Sequence, residues 1–333
     1  MQVYKDKYKN IYTDLDYCED QAGLETFSWV QEKENFYVDH EDFVASVPGS
    51  MTLLELDKNL EEFKMCSNIF APDAYSISKI LAEYQDRRLL QKVLGLNLTH
   101  LDESITQAGS KVIKDVSGYD MKKLYIGSFN SLALIANAFL KLEKRFDNQL
   151  IFEFEMKKDL NQLFKLRNYL QSFLDHRISL KVLYRKLSGN FSVSVKTTEH
   201  DKILAYRQKA IINFLEKELS LSSKLTVTKG NFNCDYKEAK RIEVDFDFSM
   251  LNLILTEVKE DILLEPLLGL ITMNDYQDLS KLLHYVSNVK VFPVTLFNRK
   301  LARTMTVDDD EQKLVAKLKK LYDHKLQLNP GVL

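Results

Sequence analysis

The sequence predicts an α+β protein with two domains. Its 333 residues exceed the usual size of one domain, and a composition of 45% hydrophobic and 28% charged residues is that of an ordinary globular chain. Short strand-like segments are interspersed with amphipathic helical segments, and a strictly alternating segment after residue 148 opens a second series of such elements. We therefore expect domains over residues 1–147 and 148–333, with a C-terminal helix that returns to the first domain.

The first predicted domain begins its regular structure with a strand, a turn and a helix. Residues 43–47 form an apolar run that ends at Pro48. Thr52 and Glu55 have the spacing of a capping box, and leucines follow at helical intervals. Subsequent segments complete the prediction: a helix over residues 76–92, strands over 94–98, 111–113 and 124–126, and either a helix or a buried strand over 131–141.

The second predicted domain has a recognisable order of elements. Residues 151–156 alternate between faces as a half-buried strand does, and leucines at helical spacing follow over residues 160–170. Strands over 178–184 and 191–196 are joined by a Ser-Gly-Asn turn, and a helix follows over 201–219. This β-α-β-β-α order is most of a ferredoxin-like unit, and a similar order starts again after residue 240. A final amphipathic helix is predicted over 309–326.

Charge and cysteine content exclude several classes of protein. Lysine and arginine number 46 against 48 acidic residues, so no global charge favours nucleic acid or an anionic membrane. The three cysteines are far apart and have no metal-ligand spacing. The chain shows neither the apolar segment of a signal peptide nor an apolar run long enough to span a bilayer. We expect a cytoplasmic protein, peripheral to a membrane at most through a partner.

Sequence motifs do not indicate a catalytic or metal site. The six histidines are scattered and no two have the i, i+4 spacing that would place them on one helix face. A phosphate-binding P-loop, a nucleophile elbow and a glycine-rich Rossmann turn are all missing from the sequence. We therefore predict no catalytic residue and no metal ligand.

Three segments, in order, resemble motifs of the FAD-linked oxidase family. The strongest comprises VLGLNL from residue 93 and KVIKDVSGYDMKKLYIGS from residue 111. The others are FVASVPGSMTLLEL from residue 43 and LYDHKLQLNPG from residue 321. Within that family, the chain resembles the E-type subunit of bacterial glycolate oxidase.

The resemblance implies a fold, a cofactor and partners. The fold is a FAD-linked oxidase-type (PCMH-like) domain followed by a ferredoxin-like cap domain, and the cofactor is FAD. The implied partners are a larger flavin-carrying catalytic subunit and an iron–sulfur subunit of a glycolate or lactate (2-hydroxy acid) dehydrogenase complex. The residues that the resemblance places beside the flavin are Ser117, Gly118, Tyr119, Gly127, Ser128 and Asn329.

The glycines that the family places at the cofactor are replaced in this chain. Residues 76–88 contain no glycine, and Asn130 and Ala133 stand where the family pattern has glycine. Glycine is what lets backbone amides approach phosphate oxygens closely and adopt positive φ. The sequence therefore predicts a weakened or lost dinucleotide site.

Three larger side chains strengthen this prediction. Lys79, Glu83 and Phe129 fall in the same segments and would fill volume that a dinucleotide needs, and Glu83 adds a charge that repels phosphate. We expect a structural subunit that does not carry FAD. A functional FAD-binding oxidoreductase and a non-enzymatic binding module remain the alternatives.

A structural subunit needs a surface for its partner. Apolar residues near a proline and in a later strand are the candidates: Leu263, Leu264, Leu267 and Leu268 around Pro266, and Phe292, Leu296 and Phe297. We expect part of this set to form one exposed apolar patch. The competing interpretation is that these residues pack inside the second domain.

Overall fold

The chain forms two compact units in a computed structural model. The first contains residues 1–145, 236–238 and 294–333, and the second contains 146–235 and 239–293. The residues whose structure is described are 2–7, 9–14, 22–28, 36–69, 71, 73–83, 87–112, 120–146, 148–173, 177–219, 226–231, 241–273, 285–292 and 309–330. Helices, strands and several antiparallel sheets make the fold a mixed one, compatible with the predicted α+β class.

The first unit contains ten described strands and five described helices. The strands are β1 (Gln2–Lys5), β2 (Ile11–Tyr12), β3 (Glu25–Ser28), β4 (Tyr37–Asp39), β5 (Val44–Pro48), β6 (Met65–Cys66), β7 (Val93–Thr99), β8 (Ile105–Gly109), β9 (Leu134–Lys141) and β10 (Glu143–Lys144). The helices are α1 (Leu53–Glu61), α2 (Ile77–Glu83), α3 (Arg87–Lys92), α4 (Lys122–Tyr125) and, last in the chain, α8 (Asp309–Tyr322).

A five-stranded antiparallel sheet organises this unit, in the order β4-β5-β9-β7-β8. Every residue of its central strand, β9, is buried except Lys141. Burial on both faces removes the alternating pattern of an ordinary strand, which is why the sequence of this segment fits a helix equally well. Smaller sheets, β2-β1-β3 and β10-β6, complete the described strands of the unit.

Helix α1 confirms the predicted capping box. The Thr52 hydroxyl accepts a hydrogen bond from the Glu55 amide at 3.2 Å, and a Glu55 carboxylate oxygen accepts one from the Thr52 amide at 2.8 Å. Both amides belong to the first turn, where a helix has no internal acceptors. Leu53, Leu56 and Leu60 form the buried face of the helix.

Two predicted strands are wrong. Residues 124–126 include the end of α4, and the extended backbone begins only at Ile126. Lys111 and Val112 lie outside any strand, while Ile113 is outside the described residues. The strand in this region is β8, which was missed because it is an edge strand with four of five residues exposed and therefore lacks an apolar period.

The second unit contains eight strands and three helices among its described residues. They are β11 (Asn148–Lys157), α5 (Leu160–Gln171), β12 (Ile178–Arg185), β13 (Asn190–Thr198), α6 (Asp201–Leu219), β14 (Thr226–Asn231), β15 (Arg241–Phe246), α7 (Leu251–Glu257), β16 (Ile262–Glu265), β17 (Leu270–Met273) and β18 (Val286–Phe292). A 3₁₀ turn over Phe248–Met250 precedes α7.

These strands form one antiparallel sheet, in the order β14-β11-β13-β12-β16-β17-β15-β18. The strands β11 to β14 form one repeat and the strands β15 to β18 form a second. From either edge of the sheet inwards, each repeat has the order fourth, first, third and second strand. Two split β-α-β repeats therefore meet at β12 and β16. The second series of elements predicted after residue 240 therefore begins as expected, with β15 and α7, while residues 274–284, between β17 and β18, lie outside the described residues. Leu183 and Leu263 are partners across the junction. The burial of Phe152 and Phe154 and the exposure of Glu153 confirm the predicted alternation in β11.

Candidate functional site

A buried turn between α4 and β9 is the candidate site, because two residues implied as FAD contacts lie in it. Residues 127–131 are all buried. Three of them have positive φ: Gly127 at +80°, Phe129 at +55° and Asn130 at +51°. Asparagine tolerates this region better than other non-glycine residues, whereas a bulky phenylalanine rarely adopts it. Such backbone conformations persist only where surrounding contacts enforce them.

Backbone amides of this turn bind the end of helix α2. The Gly127 amide donates to the carbonyl oxygen of Leu81 at 2.9 Å, and the Phe129 amide donates to that of Ala82 at 2.8 Å. The last carbonyls of a helix have no partner within the helix and need donors from elsewhere. The turn therefore caps α2, and its amides point at protein oxygens.

Asn130 fixes the turn through its side chain. Its Nδ2 donates to the Ser78 hydroxyl at 3.1 Å, and its Oδ1 accepts from the Ile135 amide at 3.2 Å. Asn130 is 2% exposed and Ser78 is 0% exposed. A glycine at residue 130 would make neither bond, so the asparagine is a structural part of this turn.

A charged group lies on the same helix, α2. The Lys79 ammonium is 3.1 Å from the Glu83 carboxylate and 2.5 Å from that of Asp14, and it lies 4.9 Å from the centre of the Tyr75 ring. The Glu83 side chain is fully buried. Burying a carboxylate is costly unless a cation accompanies it, so Lys79 and Glu83 stabilise one another.

The C-terminal segment contacts the turn directly. Asn329 is fully buried, and its Oδ1 accepts from the Thr13 amide at 2.8 Å. Its Nδ2 donates to the Thr13 hydroxyl and to the Phe129 carbonyl oxygen, each at 2.8 Å. The Asn329 amide donates to the Ile11 carbonyl at 2.7 Å. Asn329 therefore joins the N-terminal segment, the C-terminal segment and the turn.

Helix α8 supplies a second buried link. The Lys319 ammonium donates to the Ser131 carbonyl at 2.5 Å and to the Leu328 carbonyl, and it lies 3.0 Å from the Asp323 carboxylate. Asp323 also accepts from the Leu328 amide at 2.7 Å. Burial lowers the pKa of Lys319, and the bond to Asp323 opposes that effect. Lys319 and Asp323 therefore hold the C-terminal turn at the candidate site.

The structure brings together three of the six implied cofactor residues. Gly127 and Ser128 lie in the turn, and Asn329 binds the residue next to them. Ser128 is buried, and its hydroxyl donates to the Tyr125 carbonyl at 2.7 Å. The other three implied residues, Ser117, Gly118 and Tyr119, lie outside the described residues.

Sequence reasoning missed Thr13, Lys319 and Asp323. A signal existed for the last two, since Lys319 and Asp323 have the i, i+4 spacing of an ion pair and the LNPG turn follows them. Thr13 carries no such signal, because its partner is 316 residues away.

The comparisons with known proteins give one short similarity. No protein-family model matches the chain. Over 50 residues it is 38% identical to the glycolate oxidase subunit GlcD of Bacillus subtilis (strain 168). The matched segment is 15% of this chain and only 11% of that protein. The similarity concerns one segment and supports a distant relationship to FAD-linked oxidases.

FAD, the cofactor that the resemblance implies, does not fit the described turn. The amides of Gly127 and Phe129, in the segment that the resemblance places at the cofactor, are bonded to α2 carbonyls, and the Asn130 side chain stands where the family pattern has glycine. The turn itself is buried beneath other parts of the chain. These contacts stabilise the protein. Because the Gly127 and Phe129 amides already donate to α2 carbonyls, neither amide can donate to an anion while those bonds are in place.

The described residues contain neither a cluster of metal ligands nor a membrane-spanning helix. In that part of the chain, histidine, cysteine and carboxylate side chains do not gather in threes as a metal site requires. None of the helices described there is long and apolar enough to cross a membrane.

Proposed function

We propose that this chain is a subunit of a flavin-dependent 2-hydroxy acid dehydrogenase complex of the glycolate oxidase type, and that its role is structural. The observation that carries the proposal is the similarity to a protein named as a glycolate oxidase subunit. In this proposal the first unit is a FAD-linked oxidase-type framework and the second is a ferredoxin-like cap. A larger flavin-carrying subunit and an iron–sulfur subunit are its partners.

The chemistry of such a complex is consistent with a structural role for this chain. Oxidation of a 2-hydroxy acid removes a hydride from the α-carbon, and the flavin supplies that reactivity. The described buried polar groups of the candidate site bond to one another and to the backbone. That arrangement suits a framework, which holds a flavin-carrying partner and an electron-accepting partner in one assembly.

The predicted apolar surface needs correction. Leu264 is fully buried and Pro266 is buried, whereas Leu263 lies on the opposite face of β16 and is half-buried. Leu268 is 40% exposed. Leu267 is half-buried, the Phe292 side chain is not described, and Leu296 and Phe297 lie outside the described residues. Among the described members of the set, Leu263 and Leu264 do not share a surface, because neighbouring residues of a strand point to opposite faces.

A partly exposed aromatic cluster lies beside Pro266, on α5 and on the 3₁₀ turn before α7. The ring centres of Phe164 and Phe248 are 5.8 Å apart, and Phe164 is 46% exposed. The Arg167 guanidinium lies 5.0 Å from the Phe248 ring and donates to the Pro266 carbonyl at 2.9 Å. Aromatic and arginine side chains are enriched at the centres of protein interfaces, so this cluster is the surface to test first.

Co-purification tests the proposal. The chain is co-expressed with the flavin-carrying and iron–sulfur subunits of a glycolate oxidase from the same organism, and the flavin recovered on a tag carried by this chain is measured. We expect a stable complex, and about a tenfold loss of recovered flavin with Phe164→Glu. Leu187→Glu is the matched control, since Leu187 is fully exposed in the β12–β13 turn. A wild-type chain that stays monomeric beside these partners contradicts the proposal.

A further inference from the structure

We infer that the first unit excludes FAD because the chain's own groups take the contacts that a dinucleotide phosphate would need. This inference goes beyond the proposed function, since a subunit of a flavin-dependent complex can either carry a flavin or lack one. It concerns residues 127–130, helix α2 and the C-terminal turn around Asn329.

Two backbone hydrogen-bond donors of the turn are already used within the protein. A phosphate bound by a loop is held by backbone N–H groups that converge on its oxygens. Here the Gly127 and Phe129 amides bind Leu81 and Ala82 carbonyls. Turning these amides towards a phosphate would leave two buried helix carbonyls without these donors, which is unfavourable.

Two side chains occupy the space between α2 and the turn. The Ser78 hydroxyl and the Asn130 amide are bonded to each other at 3.1 Å between α2 and the turn. Both side chains are almost completely buried. The family pattern has glycine where Asn130 stands, so the Asn130 side chain and its bond to Ser78 fill space that a glycine would leave open. A phosphate could enter only if the helix and the turn separated.

The positive charge on α2 is already paired. Lys79 is the basic residue of helix α2, and it is paired with Glu83 and Asp14. Both carboxylates lie within 3.1 Å of the same ammonium, so Lys79 is already engaged by two acidic side chains. A phosphate that used this ammonium would have to displace Asp14 or Glu83, and displacing Glu83 would take the lysine from a fully buried carboxylate.

The C-terminal segment also holds the turn. Asn329 donates to the Phe129 carbonyl, and Lys319 donates to the Ser131 carbonyl. The turn is therefore bonded to α2 on one side and to the C-terminal segment on the other. Opening it for a dinucleotide would break both sets of bonds.

A flavin titration tests exclusion directly. Purified full-length chain is added to FAD, and the flavin fluorescence and its polarisation are recorded, with a flavin-free preparation of a FAD-binding glycolate oxidase subunit as positive control. We expect no saturable change with this chain and a saturable change with the control. Saturable binding of one FAD per chain overturns the inference.

Amide hydrogen exchange tests the reason for exclusion. The amides of Gly127 and Phe129 are bonded and buried, so we expect both to exchange slowly in the flavin-free protein, far more slowly than the amide of the exposed Leu187. Exchange of Gly127 and Phe129 as fast as that of Leu187 would show that the turn is open, which contradicts the inference.

The two proposals fail independently. FAD binding by the chain overturns exclusion and leaves membership of the complex standing. A failure to co-purify with the partners overturns membership and leaves the closed turn unaffected.

Discussion

The Asn329 side chain donates a hydrogen bond to the carbonyl oxygen of Phe129 at 2.8 Å, although 200 residues separate them in the sequence. The same asparagine binds the backbone and the side chain of Thr13. Phe129 has a φ of +55°, which a phenylalanine rarely adopts without enforcing contacts. The C-terminal turn thus helps to hold a strained loop in place, and that relationship gives the first prediction.

Asn329→Ala should destabilise the first unit strongly. The variant leaves the Thr13 amide and the Phe129 carbonyl buried without their partner, which we expect to lower the free energy of unfolding by about 3 kcal/mol. Urea unfolding monitored by circular dichroism measures the change. Asn59→Ala is the control, since Asn59 is exposed on α1. Equal stability of the two variants would show that the Asn329 bonds contribute little.

Asp57→Asn should stabilise the protein at neutral pH. Burial raises the pKa of Asp57 from 3.8 to about 6, and a hydrogen bond from Ser67 at 3.3 Å opposes this only in part. A pKa raised in the folded state means that folding favours the protonated acid. The stabilising contribution is full below pH 3.8 and is lost as the pH rises through 6.

Asp57→Asn removes this dependence of stability on pH, because an amide side chain does not titrate. We expect it to gain on the order of 1–3 kcal/mol at pH 7 and nothing at pH 3.5 (about the ordinary aspartate pKa). Asp102→Asn is the control, because hydrogen bonds from Ser104 lower the pKa of the exposed Asp102. That variant should lose stability at neutral pH. The same pH profile for Asp57→Asn and wild type would contradict the prediction.

Glu199→Gln should be costly because Glu199 is a buried partner of two arginines. Its Oε2 lies 2.6 Å from Arg177 and 3.6 Å from the buried Arg207. Removing the charge takes the Glu199 carboxylate from the buried Arg207, and we expect a loss of about 3 kcal/mol. Glu218→Gln tests the general effect of removing a charge: its pair with Lys165, at 3.8 Å, is exposed and should contribute under about 0.5 kcal/mol. A similar loss in both variants would contradict a specific role for Glu199.

Thr52→Ala should weaken α1 by removing its capping bond. The Glu55 amide loses its acceptor, and the expected cost is about 1 kcal/mol. Thr52→Ser keeps the hydroxyl and should retain most of the stability. Thermal unfolding of the two variants distinguishes the bond from the methyl group, and equal losses would assign the effect to packing.

Secondary structure was predictable wherever one face of an element is buried and the other is exposed. The alternation of β11 and the length of α6, Asp201–Leu219, followed directly from the sequence. Prediction failed at β8, whose exposed residues show no apolar period, and at α4, a four-residue helix too short to have one. The sheet β2-β1-β3 was missed for a related reason, since its tyrosine-rich segments have weak periodicity.

The candidate site was predictable in its residues and unpredictable in its contacts. Substitution of glycine by Asn130 indicated that a phosphate loop had changed. The sequence could not show that Asn130 would bind Ser78, or that the Gly127 amide would bind Leu81. Such pairs form only after the turn is placed against α2, so spacing along the chain carries no signal for them.

By itself, the sequence determined most of the amphipathic elements, the β-α-β-β-α order of the first repeat and the positions where glycine is replaced. These properties are local, because they depend on the period of apolar residues and on backbone freedom at single residues. Tertiary structure alone decided that the two repeats join at Leu183 and Leu263, and that Asn329 reaches Thr13 and Phe129. A hydrogen bond depends on distance and angle in space, and residues far apart in the chain acquire both only when the fold has formed.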